Sequence, residues 1–241
     1  MKKTIKLFTT VSIVSILLFS CSGGKSEKLP GITQNLIDST SYSVGVALGS
    51  MVEQSDFGKL NMKLVYKAIA DVLEKNNLKI DAEETNTIIT SYLTKRGEAV
   101  REINLAEAKV FFDENRVKEG VVETESGLQY KILSEGNDKY PGPKDTIKVN
   151  YSGRLLNGVV FDSTYAKESS DEDRPITIIL ERFIKGWVEG MQKVGEGGSI
   201  ELYIPSSLGY GNQPAGEIGP GSTLVFKVDL LEVKKAVEAE E

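Results

Sequence analysis

The side chains of this sequence that could carry chemistry are aromatic rather than ionisable. The chain contains no histidine and a single cysteine, which excludes Ser-His-Asp triads, Cys-His nucleophiles, Cys-based metal sites and a disulfide framework. Five aromatic residues follow one another through its second half: Tyr151, Phe161, Trp187, Tyr210 and Phe226. Aromatic residues usually pack a core, and the alternative to that role is an apolar binding pocket. The sequence predicts neither a metal ion nor a cofactor.

The elements that must position these aromatic residues are a small sheet and one short helix. Apolar and polar residues alternate in four segments after Gly120, which is typical of half-buried antiparallel strands: residues 129–133, 146–152, 199–205 and 223–233. Residues 182–194 have helical spacing instead, with Phe183, Trp187 and Met191 on one face. These patterns predict an α+β domain whose antiparallel sheet wraps around the short helix.

Three helical patterns precede the sheet and predict an all-α domain. The first helix has candidate N-caps at Asp38, Ser39 and Thr40, and the second covers residues 62–73. The third covers residues 81–118, and roughly 37 residues at about 1.5 Å each would extend some 55 Å, too long for a small domain to cover. Its apolar residues therefore predict contact with a second subunit, in a homodimer: Ile88, Ile89, Tyr92, Leu93, Val100, Ile103, Leu105 and Val110. The alternative is a self-contained helical hairpin.

The N-terminal segment has the features of an export signal. Two lysines precede an apolar run, residues 7–19, that is too short to span a bilayer. The run ends in Leu-Phe-Ser-Cys, which resembles a bacterial lipobox and predicts removal of residues 1–20 and lipidation of Cys21. Several acyl chains would anchor the protein stably to a membrane, whereas the alternative is an incidental thiol. Residues 21–30 are predicted to be a flexible tether.

The net charge of the chain indicates which partners it can bind, and the residue after the lipobox indicates in which membrane it is anchored. The chain carries 29 basic and 35 acidic residues, so it lacks the positive field with which proteins hold nucleic acid. Ser22 follows Cys21, where an aspartate is associated with retention in the inner membrane. We therefore expect a lipid-anchored protein of the outer membrane that faces the periplasm.

Five motifs occur in a fixed order: VNYSG at 149–153, GVVFDS at 158–163, IKGWVEGM at 184–191, IPSSLGYG at 204–211 and GPGSTLVF at 219–226. Together they resemble an FKBP-type peptidyl-prolyl cis-trans isomerase domain over about residues 127–233. Upstream, SYSVG at 41–45 and SGLQY at 126–130 are similar to periplasmic FKBPs of the macrophage infectivity potentiator class. Members of that class are V-shaped homodimers joined by N-terminal helical modules.

The resemblance divides the chain into functional segments. It implies a helical dimerisation domain at 31–118, with a long connecting helix, and an FKBP-type isomerase domain at 119–235. Residues 236–241 form an acidic tail. Two segments depart from the family pattern, because the loop 165–174 is long and acidic and Glu217 stands where several relatives are apolar.

The resemblance also implies a shallow apolar pocket for proline. Trp187 would form its floor, Asp162 would orient the substrate at the rim, and the Tyr210 hydroxyl and the Ile184 backbone N–H would donate to substrate carbonyls. The implied catalytic residues are Tyr151, Phe161, Asp162, Trp187 and Tyr210, and the implied substrate-binding residues are Ile176, Phe183, Ile184, Ile218 and Phe226. The alternatives are that Tyr151 and Phe226 only pack the core and that Asp162 only caps a turn.

The function implied by the resemblance is isomerisation of X-Pro bonds in exported proteins as they fold. The partners would be proline-containing unfolded or folding polypeptides, and macrolides would be inhibitors. Such a protein would also hold unfolded chains as a chaperone. The alternative is a periplasmic chaperone that uses the same fold without catalysis.

Overall fold

The computed structural model describes residues 29–55, 57–165 and 172–236. The predicted signal peptide, Cys21 and nearly all of the predicted acidic tail lie outside these residues. The chain divides into two compact units, residues 1–70 and residues 71–241.

The first unit contains one helix and most of a second. Helix α1, Gln34–Gln54, begins one turn before the predicted caps because the Thr33 hydroxyl accepts a hydrogen bond from the Leu36 N–H at 3.2 Å. The predicted N-caps at residues 38–40 were therefore wrong. Helix α2, Met62–Leu73, has the predicted limits.

Helix α3, Ala82–Asn115, is the long helix predicted from the sequence, and it lies in the second unit. The Asp81 carboxylate caps it by accepting from the Glu84 N–H at 2.7 Å. Its other end is anchored to the sheet, where the Asn115 side chain donates to that of Gln129 at 2.9 Å and Gln129 donates to the Phe112 carbonyl at 3.0 Å. Because both amide side chains are buried, these bonds satisfy polar groups that would otherwise oppose folding.

Seven antiparallel strands follow, and the predicted α+β fold is confirmed. The strands are β1 Val121–Glu123, β2 Gln129–Ser134, β3 Thr146–Leu155, β4 Val160–Ser163, β5 Ile176–Ile179, β6 Ser199–Ile204 and β7 Leu224–Lys234. The sheet order is β1-β2-β6-β7-β3-β4, with β5 also paired to β3. The four predicted strands correspond to β2, β3, β6 and β7, whereas the other three have only three or four residues and gave no alternation to recognise.

The short helix that lies on the sheet is α4, Lys185–Gly190. The prediction of one continuous helix over residues 182–194 was wrong, because 3₁₀ turns at Leu180–Arg182 and Met191–Lys193 flank α4. Two glycines allow its close approach to β6. A Cβ atom at Gly186 would lie 2.5 Å from Ile204 Cγ2, and one at Gly190 would lie 2.4 Å from Leu202 Cδ2.

Candidate functional site

Trp187 is the centre of an aromatic cluster between α4 and the sheet. Its side chain is fully buried, and its ring centroid lies 4.7 Å from that of Phe183 and 5.3 Å from those of Tyr151 and Phe226. Tyr151 on β3 and Phe226 on β7 meet the indole edge to face, at interplanar angles of 88° and 89°. This is a favourable geometry for aromatic pairs, and it fixes the orientation of the indole.

A second layer of the cluster depends on Gly153, which sequence reasoning did not select as a site residue. Phe161 on β4 packs edge to face on Phe226 at 5.5 Å. The two rings meet over Gly153, where an added Cβ atom would lie 2.6 Å from Phe226 and 2.7 Å from Phe161. A glycine inside a predicted strand is the sequence signal of such a close approach.

The polar edge of the cluster is a hydrogen bond between neighbouring strands. The Tyr151 hydroxyl donates to the exposed Asp162 carboxylate. Burial raises the pKa of the Tyr151 phenol, and the Asp162 hydrogen bond and charge and the nearby Tyr210 raise it further. Tyr151 therefore stays protonated at neutral pH and keeps donating to Asp162.

Tyr210 and Ile218 lie on one long loop between β6 and β7. Tyr210 is 42% exposed, whereas Ile218 is buried against the core. The base of the loop is closed by two backbone bonds, from the Gly211 N–H to the Ser206 carbonyl at 2.8 Å and from the Gly221 N–H to the Gly211 carbonyl at 2.9 Å. The loop thus presents one polar aromatic side chain outward and one aliphatic side chain inward.

The remaining predicted pocket residues surround the same core. Ile176 begins β5 and pairs with Val149 of β3, while Phe183 and Ile184 connect a 3₁₀ turn to α4. All three are half-buried and pack against the cluster that contains Trp187. Eight of the ten predicted site residues, all except Asp162 and Tyr210, therefore pack on one core. Asp162 lies on the exposed edge of that core.

Thr164 is a further residue near the site that sequence reasoning missed. Its hydroxyl accepts from the Tyr151 N–H at 2.8 Å and donates to Asn150 Oδ1 at 3.1 Å, and Asn150 in turn donates to Asp173 at 3.1 Å. The Arg174 N–H donates to the Thr164 carbonyl at 2.8 Å. These bonds join the two ends of the acidic loop to the strand that carries Tyr151, a long-range arrangement with no local sequence signal.

Within the described ranges, no group of three or more His, Cys, Asp or Glu side chains is arranged to hold a metal ion. Among the same residues, no helix is both long enough and apolar enough to cross a membrane.

Comparison with known proteins shows matches over most of the chain. Residues 137–231 match the family model described as FKBP-type peptidyl-prolyl cis-trans isomerase, and residues 37–132 match the domain described as amino terminal to it. A probable FKBP-type peptidyl-prolyl cis-trans isomerase FkpA of Neisseria meningitidis is 37% identical, with coverage of 80% of this chain and 73% of the relative. The outer membrane protein MIP of Legionella longbeachae is 34% identical, with coverage of 83% and 86%.

A solved structure also resembles the present one. The crystal structure of FkpA from Escherichia coli is 30% identical and superposes with a TM-score of 0.63, covering 86% of this chain and all of that chain.

Proposed function

The chain belongs to the FKBP-type peptidyl-prolyl cis-trans isomerases, and from that premise we propose that the aromatic cluster around Trp187 is its catalytic pocket. The observation that carries this proposal is the enclosure of one indole by Tyr151, Phe183 and Phe226, with ring centroids about 5 Å away. The Tyr151–Asp162 hydrogen bond gives the cluster a single polar edge. A proline ring is apolar and its carbonyls are polar, so this pairing matches an X-Pro segment.

The reaction needs a pocket of this kind rather than a nucleophile. Rotation about an X-Pro bond breaks no covalent bond, and its barrier of about 18–20 kcal/mol reflects lost amide resonance. The twisted amide is less dipolar than the planar one, so apolar walls favour it. A few fixed donors to neighbouring substrate carbonyls hold the segment in place while the bond rotates. A rate gain of about 10⁴ to 10⁵ corresponds to roughly 5.5–7 kcal/mol.

We assign the following roles within the pocket. The proline ring lies over the cluster centred on the buried Trp187, bordered by Tyr151, Phe161 and Phe226. Tyr210, which is 42% exposed, donates its hydroxyl to a substrate carbonyl. Ile184 precedes the first turn of α4, where backbone N–H groups lack acceptors within the helix, and its N–H is the second donor.

The outer part of the pocket is formed by residues of three other segments. Ile176 of β5, Phe183 before α4 and Ile218 of the long loop form its aliphatic and aromatic wall. Asp162 stays at the rim as an acceptor that orients the substrate, and the Tyr151 hydroxyl fixes its carboxylate in place.

The single tryptophan of the chain offers a direct test of substrate position. We expect the emission of Trp187 to change saturably when an X-Pro peptide is added, and a macrolide inhibitor to compete with that change. The matched control is the same peptide with alanine in place of proline, which should leave the emission unaltered. Equal responses to both peptides would contradict the proposal that this pocket recognises proline.

We further propose that the protein is a homodimer that also holds unfolded chains as a chaperone. Helix α1 has no buried residue, and it exposes Tyr42 by 78% and Met51 by 58%. Together with α2 it borders an open groove of about 550 Å³, with apolar lining from Val44, Leu48 and Ile69 among others. Exposed apolar surface of this extent is typical of an interaction site.

We propose that residues 31–118 form the dimer and that residues 119–235 catalyse isomerisation. The last turns of α3 contribute to both segments, because Asn115 and Phe112 bond to the sheet. Light scattering on a chain that begins at Ser22 should give twice the monomer mass, and Leu48→Glu should halve it. A monomeric parent would exclude the dimer.

The chaperone role is tested separately from catalysis. Trp187→Ala should spare suppression of aggregation, whereas Leu48→Glu should reduce it and spare isomerisation of short peptides. Loss of both activities in both variants would contradict the division of labour.

We also propose that the protein is lipid-anchored through Cys21 and acts on exported proteins at the outer membrane. The lipobox-like sequence before Cys21 supports this proposal, and one relative carries the name outer membrane protein MIP. A Cys21→Ser variant should lose the acyl mass of the mature protein and leave the membrane fraction. Retention of the variant in washed membranes would exclude the anchor.

A further inference from the structure

The second half of α3 holds the loop that carries Tyr210 and Ile218. Arg101 Nε donates to Asn212 Oδ1 at 2.7 Å. One turn further along, Asn104 Nδ2 donates to the Pro220 carbonyl at 2.8 Å and lies 3.3 Å from Ser222 Oγ. Residues three apart share one face of a helix, so Arg101 and Asn104 bind the two ends of the loop from the same face of α3.

The loop backbone lies directly against the helix at these points. A Cβ atom at Gly219 would lie 3.3 Å from Val100 Cγ1, and one at Gly221 would lie 3.2 Å from Arg101 Cγ. Gly221 also has a φ of +73°, a conformation that glycine adopts readily. The two glycines therefore allow the loop to approach α3 closely enough for both side chains to reach it.

The anchored residues are close in sequence to the two pocket residues of the loop. Tyr210 precedes Asn212 by two residues, and Ile218 precedes Pro220 by two. Gly211, directly before Asn212, and Gly216, between the two anchors, have φ of +62° and +59° and open space around them. Glycines give such a segment access to many backbone conformations. The contacts from α3 therefore limit the conformations of the loop.

We propose that Arg101 and Asn104 are positioning residues for the isomerase, which hold the loop 209–222 so that Tyr210 and Ile218 keep their places at the pocket. The inference rests on the catalytic pocket proposed above. Neither residue touches substrate, and both act through the loop. Catalysis is sensitive to such positioning, because a displacement of about 1 Å can cost on the order of 100-fold in rate.

The test uses variants of the full chain. Arg101→Ala combined with Asn104→Ala removes both contacts, and Asn212→Ala removes the acceptor of the first contact from the exposed loop side. Glu102→Ala, an exposed neighbour on α3, is the matched control. Asn212→Asp keeps the acceptor for Arg101 and is the conservative rescue.

We expect kcat/KM on an X-Pro peptide to fall about tenfold in the double variant, a partial loss compared with the 100-fold of a full 1 Å displacement. The melting temperature should stay close to that of the parent, and Glu102→Ala and Asn212→Asp should retain activity. When Arg101→Ala and Asn212→Ala are combined, their effects on kcat/KM should not add, since both substitutions break the same contact. Activity within twofold of the parent in the double variant, or full additivity of the two single variants, would overturn the proposal.

A second readout is independent of catalysis. Amide hydrogen exchange over residues 209–222 should accelerate in the double variant and in Asn212→Ala, but not in the Glu102→Ala control. Unchanged exchange would also overturn the proposal, whatever the activity. An inactive parent protein would instead refute the catalytic pocket, and hydrogen exchange would still decide whether α3 orders the loop.

Discussion

Gly153→Ala is the substitution whose effect on the pocket follows most directly from the structure. The new methyl group would lie 2.6 Å from Phe226 and 2.7 Å from Phe161, whereas ordinary contact begins at 3.4 Å. Both rings must therefore retreat by roughly 0.8 Å, and overpacking of this kind typically costs about 1–3 kcal/mol of folding stability. Phe226 cannot retreat without disturbing the packing around Trp187, because it contacts the indole, and Phe161 packs on Phe226.

The predicted consequence is a loss of catalysis larger than the loss of folded protein. We expect kcat/KM for an X-Pro peptide to fall by about 10- to 100-fold, since a displacement near 1 Å is enough for such a loss. Gly97→Ala is the matched control, because a Cβ atom there meets nothing within 4 Å and alanine stabilises a helix by about 1 kcal/mol relative to glycine. Unaltered activity and melting temperature in Gly153→Ala would refute the packing argument.

Three further predictions concern the same unit. Gly186→Ala should lower the free energy of unfolding by about 1–3 kcal/mol in urea denaturation, because its methyl group would clash with Ile204 at 2.5 Å; a neutral effect would mean that α4 can move off the sheet. Gln129→Leu should destabilise the fold by about 1–3 kcal/mol, because it leaves the buried Asn115 amide without its 2.9 Å acceptor, and denaturant midpoints would show it. The pKa of Tyr151 is raised in the folded protein, so the protonated phenol contributes to the free energy of unfolding. This contribution is complete below the ordinary tyrosine pKa of about 10 and is lost as the pH rises through the raised value. A phenolate absorbance of Tyr151 near pH 10, isolated by subtracting the signal of Tyr151→Phe, would contradict this.

The sequence predicted the elements with strong local signals. Helix α2 has the limits of the predicted apolar pattern. Helix α3 begins directly after Asp81, where the sequence predicted its start. Four strands were found from alternation alone because each has at least six residues with one face in the core. The motif order placed Trp187, Tyr151 and Phe226 together, and the structure packs them as one cluster.

Features that depend on tertiary contacts could not be predicted in this way. Helix α1 begins after Thr33 rather than at the predicted caps at residues 38–40, and the sequence pattern did not indicate this earlier start. The helical spacing over residues 182–194 hides two 3₁₀ turns, because packing of α4 on β6 overrides local propensity. The bond between Arg101 and Asn212 joins residues 111 positions apart, and no local pattern marks such a pair.

The most direct test of the central claim is catalysed cis-trans exchange of a short X-Pro peptide by the chain from Ser22 onward, compared with its Asp162→Ala and Trp187→Ala variants. Asp138→Ala, which removes an exposed carboxylate from the loop between β2 and β3, is the control. We predict that the parent and the control accelerate exchange equally and that both pocket variants lose at least tenfold in kcat/KM while remaining folded. Full activity in folded Asp162→Ala and Trp187→Ala would contradict the claim that this aromatic pocket performs the isomerisation.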